Sequence, residues 1–267
     1  MCHHKAPHRK WENHPRHNHL YRDEIKIPDS FNDDYKNRAK AAGVARMRIA
    51  DDLDYFDLGL VQPEGGEEVG DLLPLDGYHG TIRMVPHPKD VTNLKLIDKA
   101  TAEVYTFKTQ EELLHFKYQR YMQRYLRTIQ AVDDGVGRLL DYLDEEGLTE
   151  NTVVIYTSDQ GFFLGEHGWY DKRFMYEESF QMPFIIRYPA EIKAGSVCKD
   201  IVSNVDFAPT WLDQAGVKIP SFMQGRSFRP LTQGKTPGDW RQLAYHRYWM
   251  HRDVSFCFPA SSLSALC

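Results

Sequence analysis

Between residues 112 and 146 apolar side chains recur every three to four positions: Tyr118, Tyr121 with Met122, Tyr125, Ile129, Val132, Val136, Leu139 with Leu140, and Leu143. That period predicts one face of a long helix, and Gly147 is placed to stop it. The pattern then changes to the unbroken β-branched and aromatic run Thr152-Val153-Val154-Ile155-Tyr156-Thr157, the signature of a buried strand. A second such run, Pro183 to Tyr188, ends before Pro189, and Ile201 to Val205 predicts a third strand. A short helix follows from about Ala208 to Ala215, with Gly216 as its stop, and Leu243 to Trp249 predicts one more strand. Helix, turn and apolar strand in succession form an α/β unit. The fold class expected is α/β, a mostly parallel sheet flanked by helices, with a smaller sheet region starting near Leu243.

Elsewhere the pattern is weaker. Residues 30–50 predict a helix, with Ser30 as N-cap and an Ala-rich stretch from Ala39 to Ala50. From Asp51 to about Gln110 the turn signals Gly65-Gly66, Pro74, Gly77, Gly80, Pro86 and Pro88 predict a long surface excursion. Residues 250–267 lack both period and caps. The expected division is a main domain over 1–240 and a short C-terminal region over 241–267.

Composition narrows the function classes. A length of 267 residues, 42% hydrophobic and 27% charged, is globular. The formal net charge of -5 argues against a nucleic-acid binder held by overall charge. No apolar run is long enough to span a membrane. Four cysteines without a CxxC pair exclude a disulfide scaffold and a zinc ribbon.

The segment richest in chemistry runs from Ser158 to Lys172. Asp159 and Gln160 fall just past the carboxyl end of the predicted strand, the edge at which open α/β sheets bind ligands. Side by side they offer hard oxygen donors suited to Ca²⁺ or Mg²⁺. Gly161, Gly165 and Gly168 keep the loop tight, and it then delivers His167 and Lys172. A cation with Lys and His beside it is a receptor for a tetrahedral oxyanion; the plainer alternative is a turn with Lys in solvent. Six of the twelve histidines fall in the first nineteen residues. Of these, His3, His4 and His8 lie in a cluster that on its own reads as a solvated loop or an adventitious metal binder, and His14, His17 and His19 are likewise expected in a solvated loop.

Ser158-Asp159-Gln160-Gly161, followed by Gly165-Glu166-His167-Gly168 and then Lys172, resembles the distal half of the sulfatase active site. His4-Lys5-Ala6-Pro7-His8 resembles that family's central His segment, and Met175 to Ser179, Met182-Pro183 and Asp206 to Thr210 are similar in order and spacing. The resemblance runs from about His3 to Trp249. It implies an alkaline-phosphatase-like fold and hydrolysis of sulfate esters. Asp159 and Gln160 match a late pair of ligands for a divalent metal, most often Ca²⁺. Lys172 and His8 match groups that contact the sulfate and the leaving oxygen, so they are the catalytic candidates. His167 matches a loop His with a substrate-side or structural role. The substrate would be a sulfated small molecule or a sulfated glycan, and the parent enzyme is expected to be exported to the periplasm, cell exterior or lysosome.

The same resemblance calls for a formylglycine made within Cys/Ser-x-Pro-Ser/Ala-Arg, and for two early Asp metal ligands before the central His. With that His at residue 8, the expectation is a central and distal portion of a sulfatase whose nucleophile is not encoded here. Cys257-Phe258-Pro259-Ala260-Ser261 follows the modification motif for four positions but has Ser261 where Arg belongs; Cys2 and Cys198 do not fit it either. Two alternatives stand beside this reading. One is a phosphodiesterase or phosphonate monoester hydrolase of the same superfamily, although a single Asp-Gln pair with one Lys suits sulfate better than phosphate. The other is a non-catalytic binder of anionic glycans, which the eleven Lys and Arg against six Asp and Glu in residues 1–50 would serve.

Overall fold

The 36-residue helix Gln110–Glu145 (α2) is the longest element, and its ends show why it forms. Thr109 Oγ1 accepts the Glu112 amide at 3.1 Å, while Glu112 Oε2 reaches back to the Lys108 amide at 2.7 Å. This is a close variant of a capping box. At the other end Gly147 takes φ +66°, and the Leu148 amide bonds the Leu143 carbonyl at 2.8 Å, closing the helix as a glycine cap does. The buried stripe is Leu113, Lys117, Tyr118, Tyr121, Met122, Thr128 and Val132. Further along, Leu139 and Tyr142 are half exposed, so the predicted apolar face is buried only in its first half.

The computed structural model describes residues 2–61 and 90–245, and these group into two compact units. The first comprises residues 2–61, 90–138 and 162–173; the second comprises 139–161 and 174–245. In the first unit the strands Leu60–Val61 (β1), Lys95–Asp98 (β2) and Val104–Thr106 (β3) form an antiparallel sheet, with Leu60 opposite Asp98 and Leu96 opposite Tyr105. Around them lies a core of Trp11, Ile49, Leu53, Tyr55, Leu58, Leu60, Leu94, Leu96, Tyr118 and Tyr121. Residues 51–61 and 90–110 are therefore core-forming, not the surface excursion their turn signals predict. Their apolar side chains are too scattered to show a period, yet the chain reversals turn them to one side. Residues 62–89 lie outside the described residues. The helix predicted over 30–50 is reduced to Lys40–Val44 (α1), and Ser30 stands in a turn; Asp33 and Asp34 bind the amides of Tyr35 and Lys36 and hold that stretch as turns instead.

In the second unit Val154–Thr157 (β4) pairs with Phe184–Arg187 (β7), Val154 opposite Arg187 and Thr157 opposite Phe184. The pair is antiparallel, and so is every strand pairing among the described residues. The parallel character expected of this sheet is not seen there. A parallel neighbour needs a crossover back to the same end, whereas residues 158–183 leave the end of β4 and re-enter at the facing residue of β7. Both strands are half-buried rather than buried, with Ile185 63% exposed, because each has a single partner among the described residues. Ile201 to Ser203 is irregular and Asn204–Asp206 is a 3₁₀ turn, not a third strand. The reason is Asp206: fully buried, it accepts from the Ser203 and Arg226 amides and pairs with Arg241 at 2.5 Å, which turns the chain into Phe207–Gln214 (α4). Phe228, Leu231 and Trp240, with Phe184, Ile186, Phe207 and Trp211, form the core of this unit. The strand expected over 243–249 and the tail beyond it fall mostly outside the described residues.

Candidate active site

The connection from β4 to β7 carries four of the five candidate site residues. Asp159 is exposed and Gln160 half-buried at the carboxyl end of β4, as the strand pattern predicts. Ser158 Oγ donates to the Gln160 carbonyl at 2.9 Å, and Asn204 Nδ2 donates to the Asp159 carbonyl at 3.3 Å, which pins the backbone under both side chains. Gly161 donates its amide to the Ser179 carbonyl at 2.9 Å, and a Cβ there would collide with the Glu178 carbonyl oxygen. Among the described residues no group of three His, Cys, Asp or Glu side chains is placed to hold a metal. The Asp159 carboxylate and Gln160 carbonyl fit a hard cation as two of its oxygen donors, and a Ca²⁺ sphere needs six to eight. The pair by itself is short of such a sphere.

The chain then enters the first unit as the hairpin Phe163–Leu164 (β5) and Tyr170–Asp171 (β6). Gly165 takes φ +113° with Tyr118 2.6 Å from where a Cβ would stand, so only glycine fits this turn. His167 is mostly buried and sits at φ 58°. Its Nδ1 lies 2.7 Å from Asp33 Oδ2, and its carbonyl accepts from Tyr35 Oη at 2.5 Å. Arg38 completes the group at 2.7 Å from Asp33, and these contacts hold the Asp33 carboxyl below its usual range despite the cost of burial. The surroundings of His167 tie the 30–38 turns to the hairpin.

Lys172 is 85% buried, with its Nζ 3.4 Å from Asp171 Oδ1, while Arg173 lies 3.0 Å from Asp171 Oδ2. Asp171 itself is buried and adopts φ +72°, a conformation an Asp tolerates by bonding locally; its Oδ1 accepts the Lys172 amide at 3.0 Å. One buried carboxylate thus fixes both the backbone and the ammonium of Lys172. His8 is exposed, at the end of a turn closed by its own amide on the Lys5 carbonyl. Its Nδ1 is 2.8 Å from the Arg9 carbonyl. A carbonyl only accepts, so Nδ1 carries a proton and Nε2 is the nitrogen that exchanges one.

His8 and Lys172 share an aromatic support. Trp11 Nε1 donates to the Pro7 carbonyl at 2.8 Å, anchoring the His8 turn, and the Trp11 ring meets Phe162 edge-on at 6.4 Å. The Lys172 ammonium stands 5.5 Å over that same Phe162 ring, and Tyr125 stacks on it at 5.8 Å. Behind His8, Arg9 pairs at 3.5 Å with Asp57, whose carboxyl burial pushes up to about 6 against the pull of Arg9. Sequence reasoning had assigned no role to Asp171, Asp57, Trp11 or Phe162. Asp171 carried a local signal, an acid directly before Lys-Arg. The Arg9–Asp57 pair spans 48 positions and carried none. The solvated loop expected over His14, His17 and His19 holds His17 buried, 3.0 Å from Asp134 on α2.

The family model described as N-sulphoglucosamine sulphohydrolase, C-terminal, matches residues 165–260. A second, type I phosphodiesterase / nucleotide pyrophosphatase, matches residues 111–183. The chain is 46% identical over 254 residues to an N-acetylglucosamine-6-O-sulfatase of Bacteroides thetaiotaomicron, covering 93% of this chain and 45% of that protein. It is 38% identical over 148 residues to the N-acetylglucosamine-6-sulfatase of Bos taurus, covering 50% of this chain and 26% of the other. A solved structure in complex with its substrate D-glucosamine-2-N,6-O-disulfate superposes with a TM-score of 0.74 at 42% identity, over 92% of this chain and 50% of that one. The chain thus spans about half the length, or less, of the relatives it matches.

Proposed function

Because this chain belongs to the sulfatase family of the alkaline-phosphatase-like superfamily, we propose that it carries the leaving-group side of an active site that hydrolyses sulfate esters on glycans. The substrate class is a glucosamine-type sugar sulfated at its 6-oxygen. The observation that carries this reading is the 46% identity, over 93% of the chain, to an enzyme named for that reaction. The anchoring of the His8 turn on Trp11 and of Lys172 over Phe162, rings that touch one another, supports it. In such a reaction a nucleophile, which the sequence motifs of this chain do not supply, bonds to sulfur as the S–O bond breaks, and the electron pair of the broken bond passes to the bridging oxygen. The Lys172 ammonium, held by Asp171, neutralises the growing charge. A protonated His8 gives its Nε2 proton to the same oxygen, which leaves as the sugar hydroxyl.

Asp159 and Gln160 are the residues that would hold a divalent cation, Ca²⁺ by the hardness of their oxygens. When bound, such an ion polarises the sulfate oxygens. No residue of this chain fits a formylglycine, since Cys257 lacks the motif's Arg, and no step is drawn through that group. The chain alone is therefore expected to bind a 6-sulfated sugar without turning it over. Calorimetric titration with N-acetylglucosamine 6-sulfate and with unsulfated N-acetylglucosamine tests this. The expected result is preference for the sulfated sugar and an affinity about tenfold lower in Lys172→Met, the loss of one charge-assisted contact. Equal binding of the two sugars, or none of either, refutes the reading.

A further inference from the structure

Beside the His8 turn the first unit holds two cations over a single ring. Lys10 Nζ lies 3.2 Å from the centroid of Phe56, and Lys99 Nζ lies 3.1 Å from it. The two ammoniums are thus within about 6 Å of each other. Neither has a carboxylate within ion-pair distance among the described residues. Phe56 is half-buried and Lys99 exposed, so the pair is open to solvent. The neighbouring charges do not offset them. Arg9 is taken up by Asp57, and Arg124 donates to the Trp11 carbonyl. Asp54 caps the Phe56 amide at 3.0 Å. Glu12 and Asp54 act on Lys99 only at a distance, and burial followed by repulsion from Lys10 lowers its basicity. A cation–π contact with one ring compensates two ammoniums poorly. At these distances the two ammoniums lie on opposite faces of the ring, and an oxyanion at the ring edge, reached by both lysine side chains, would relieve the repulsion.

We propose that Lys10 and Lys99, clamped on Phe56 two residues from His8, form a second anion subsite that binds a sulfate or carboxylate on a sugar adjoining the 6-sulfated one. The assignment rests on the sulfated-glycan reading of the His8–Lys172 site. Its consequence is selectivity for chains that carry more than one anionic group.

Lysine dimethylation with ¹³C keeps the charges and gives each lysine an NMR signal. Signals of Lys10 and Lys99 stand upfield from the Phe56 ring current and are assigned with Lys10→Gln and Lys99→Gln; Lys172 reports the other site through Phe162. The 267-residue chain is titrated with inorganic sulfate, N-acetylglucosamine 6-sulfate, and two disaccharides of that sugar, one with a neighbouring uronate and one with a second sulfate. The expected result is that a disaccharide moves the Lys10 and Lys99 signals at about tenfold lower concentration than inorganic sulfate does. Lys99→Gln then weakens that disaccharide about tenfold while leaving the monosaccharide unchanged. The disaccharide that responds identifies the second anion. Saturation of the Lys172 signal by both disaccharides with Lys10 and Lys99 unmoved overturns the subsite alone. Movement of Lys10 and Lys99 by inorganic sulfate, with Lys172 silent to every sugar, overturns the sulfated-glycan reading and the sugar assignment of the clamp with it.

Discussion

Asp57 offers a quantitative test of the electrostatics behind His8. Its side chain is 7% exposed and its nearest cation, Arg9, stands 3.5 Å away. That distance is too long for a strong charge-assisted bond, so lost hydration outweighs the pairing and the carboxyl is pushed up to about 6 from 3.8. The folded chain therefore holds a proton on Asp57 at pH values where the unfolded chain has released it. Stability from this group is fully present below about pH 4 and falls as pH rises to about 6. A displacement of roughly two pH units corresponds to roughly 3 kcal/mol. Asp57→Asn keeps the shape and removes the ionisation, so the variant gains on wild type across that window. The assay is hydrogen exchange of the core amides of Ile49 and Leu60, which bond to Gly168 and Tyr55, from pH 4.5 to 7.5. Taking the difference between variant and wild type cancels Asp33 and Asp98, whose lowered basicity gives the opposite slope. A flat difference, or a variant less stable than wild type at pH 7.5, would show that the Arg9 pair outweighs burial and refute the reasoning.

Gly161→Ala drives a methyl into the Glu178 carbonyl and is expected to lower the stability of the second unit by about 1–3 kcal/mol, read as a fall in its melting temperature; an unchanged transition would mean the loop has room to shift. Arg120→Ala strands the Asp98 carboxylate, which Arg120 contacts at 2.6 Å with both side chains nearly buried. The expected cost is about 3–5 kcal/mol by urea unfolding at pH 7. Because Asp98 is held below its usual range, its contribution is present above pH 4 and is lost on acidification, so the gap between variant and wild type should narrow there. Calcium at about a hundred times its dissociation constant should stabilise the chain by about 2.7 kcal/mol, and Asp159→Ala should abolish that gain; a calcium response that survives the substitution would place the ion elsewhere.

The long helix, β4, β7 and α4 were all legible, because each rests on local information: a period, a β-branched run, a capping residue, a glycine stop. The Ser158–Lys172 loop was legible for the same reason, since its donors, glycines and Lys lie within fifteen consecutive positions. Residues 51–61 and 90–110 were misread because their burial comes from chain reversals that bring unrelated apolar side chains together, leaving no period behind. The direction of β7 against β4 was likewise invisible, since two apolar runs pair equally well either way until the path between them is known.

The sequence by itself determined which residues are the candidates for the chemistry and where they lie locally: Asp159 and Gln160 at a strand end, Lys172 and His167 on a glycine-rich loop, His8 in a short turn. Tertiary structure alone decided what those residues lean on. Asp171 holds Lys172 from an adjacent position but only because burial makes the pairing strong. Asp57 reaches Arg9 across 48 residues, and Lys99 meets Lys10 over Phe56 across a still longer separation. Charges interact through distance and local dielectric, and both are properties of the folded chain rather than of the order of its residues.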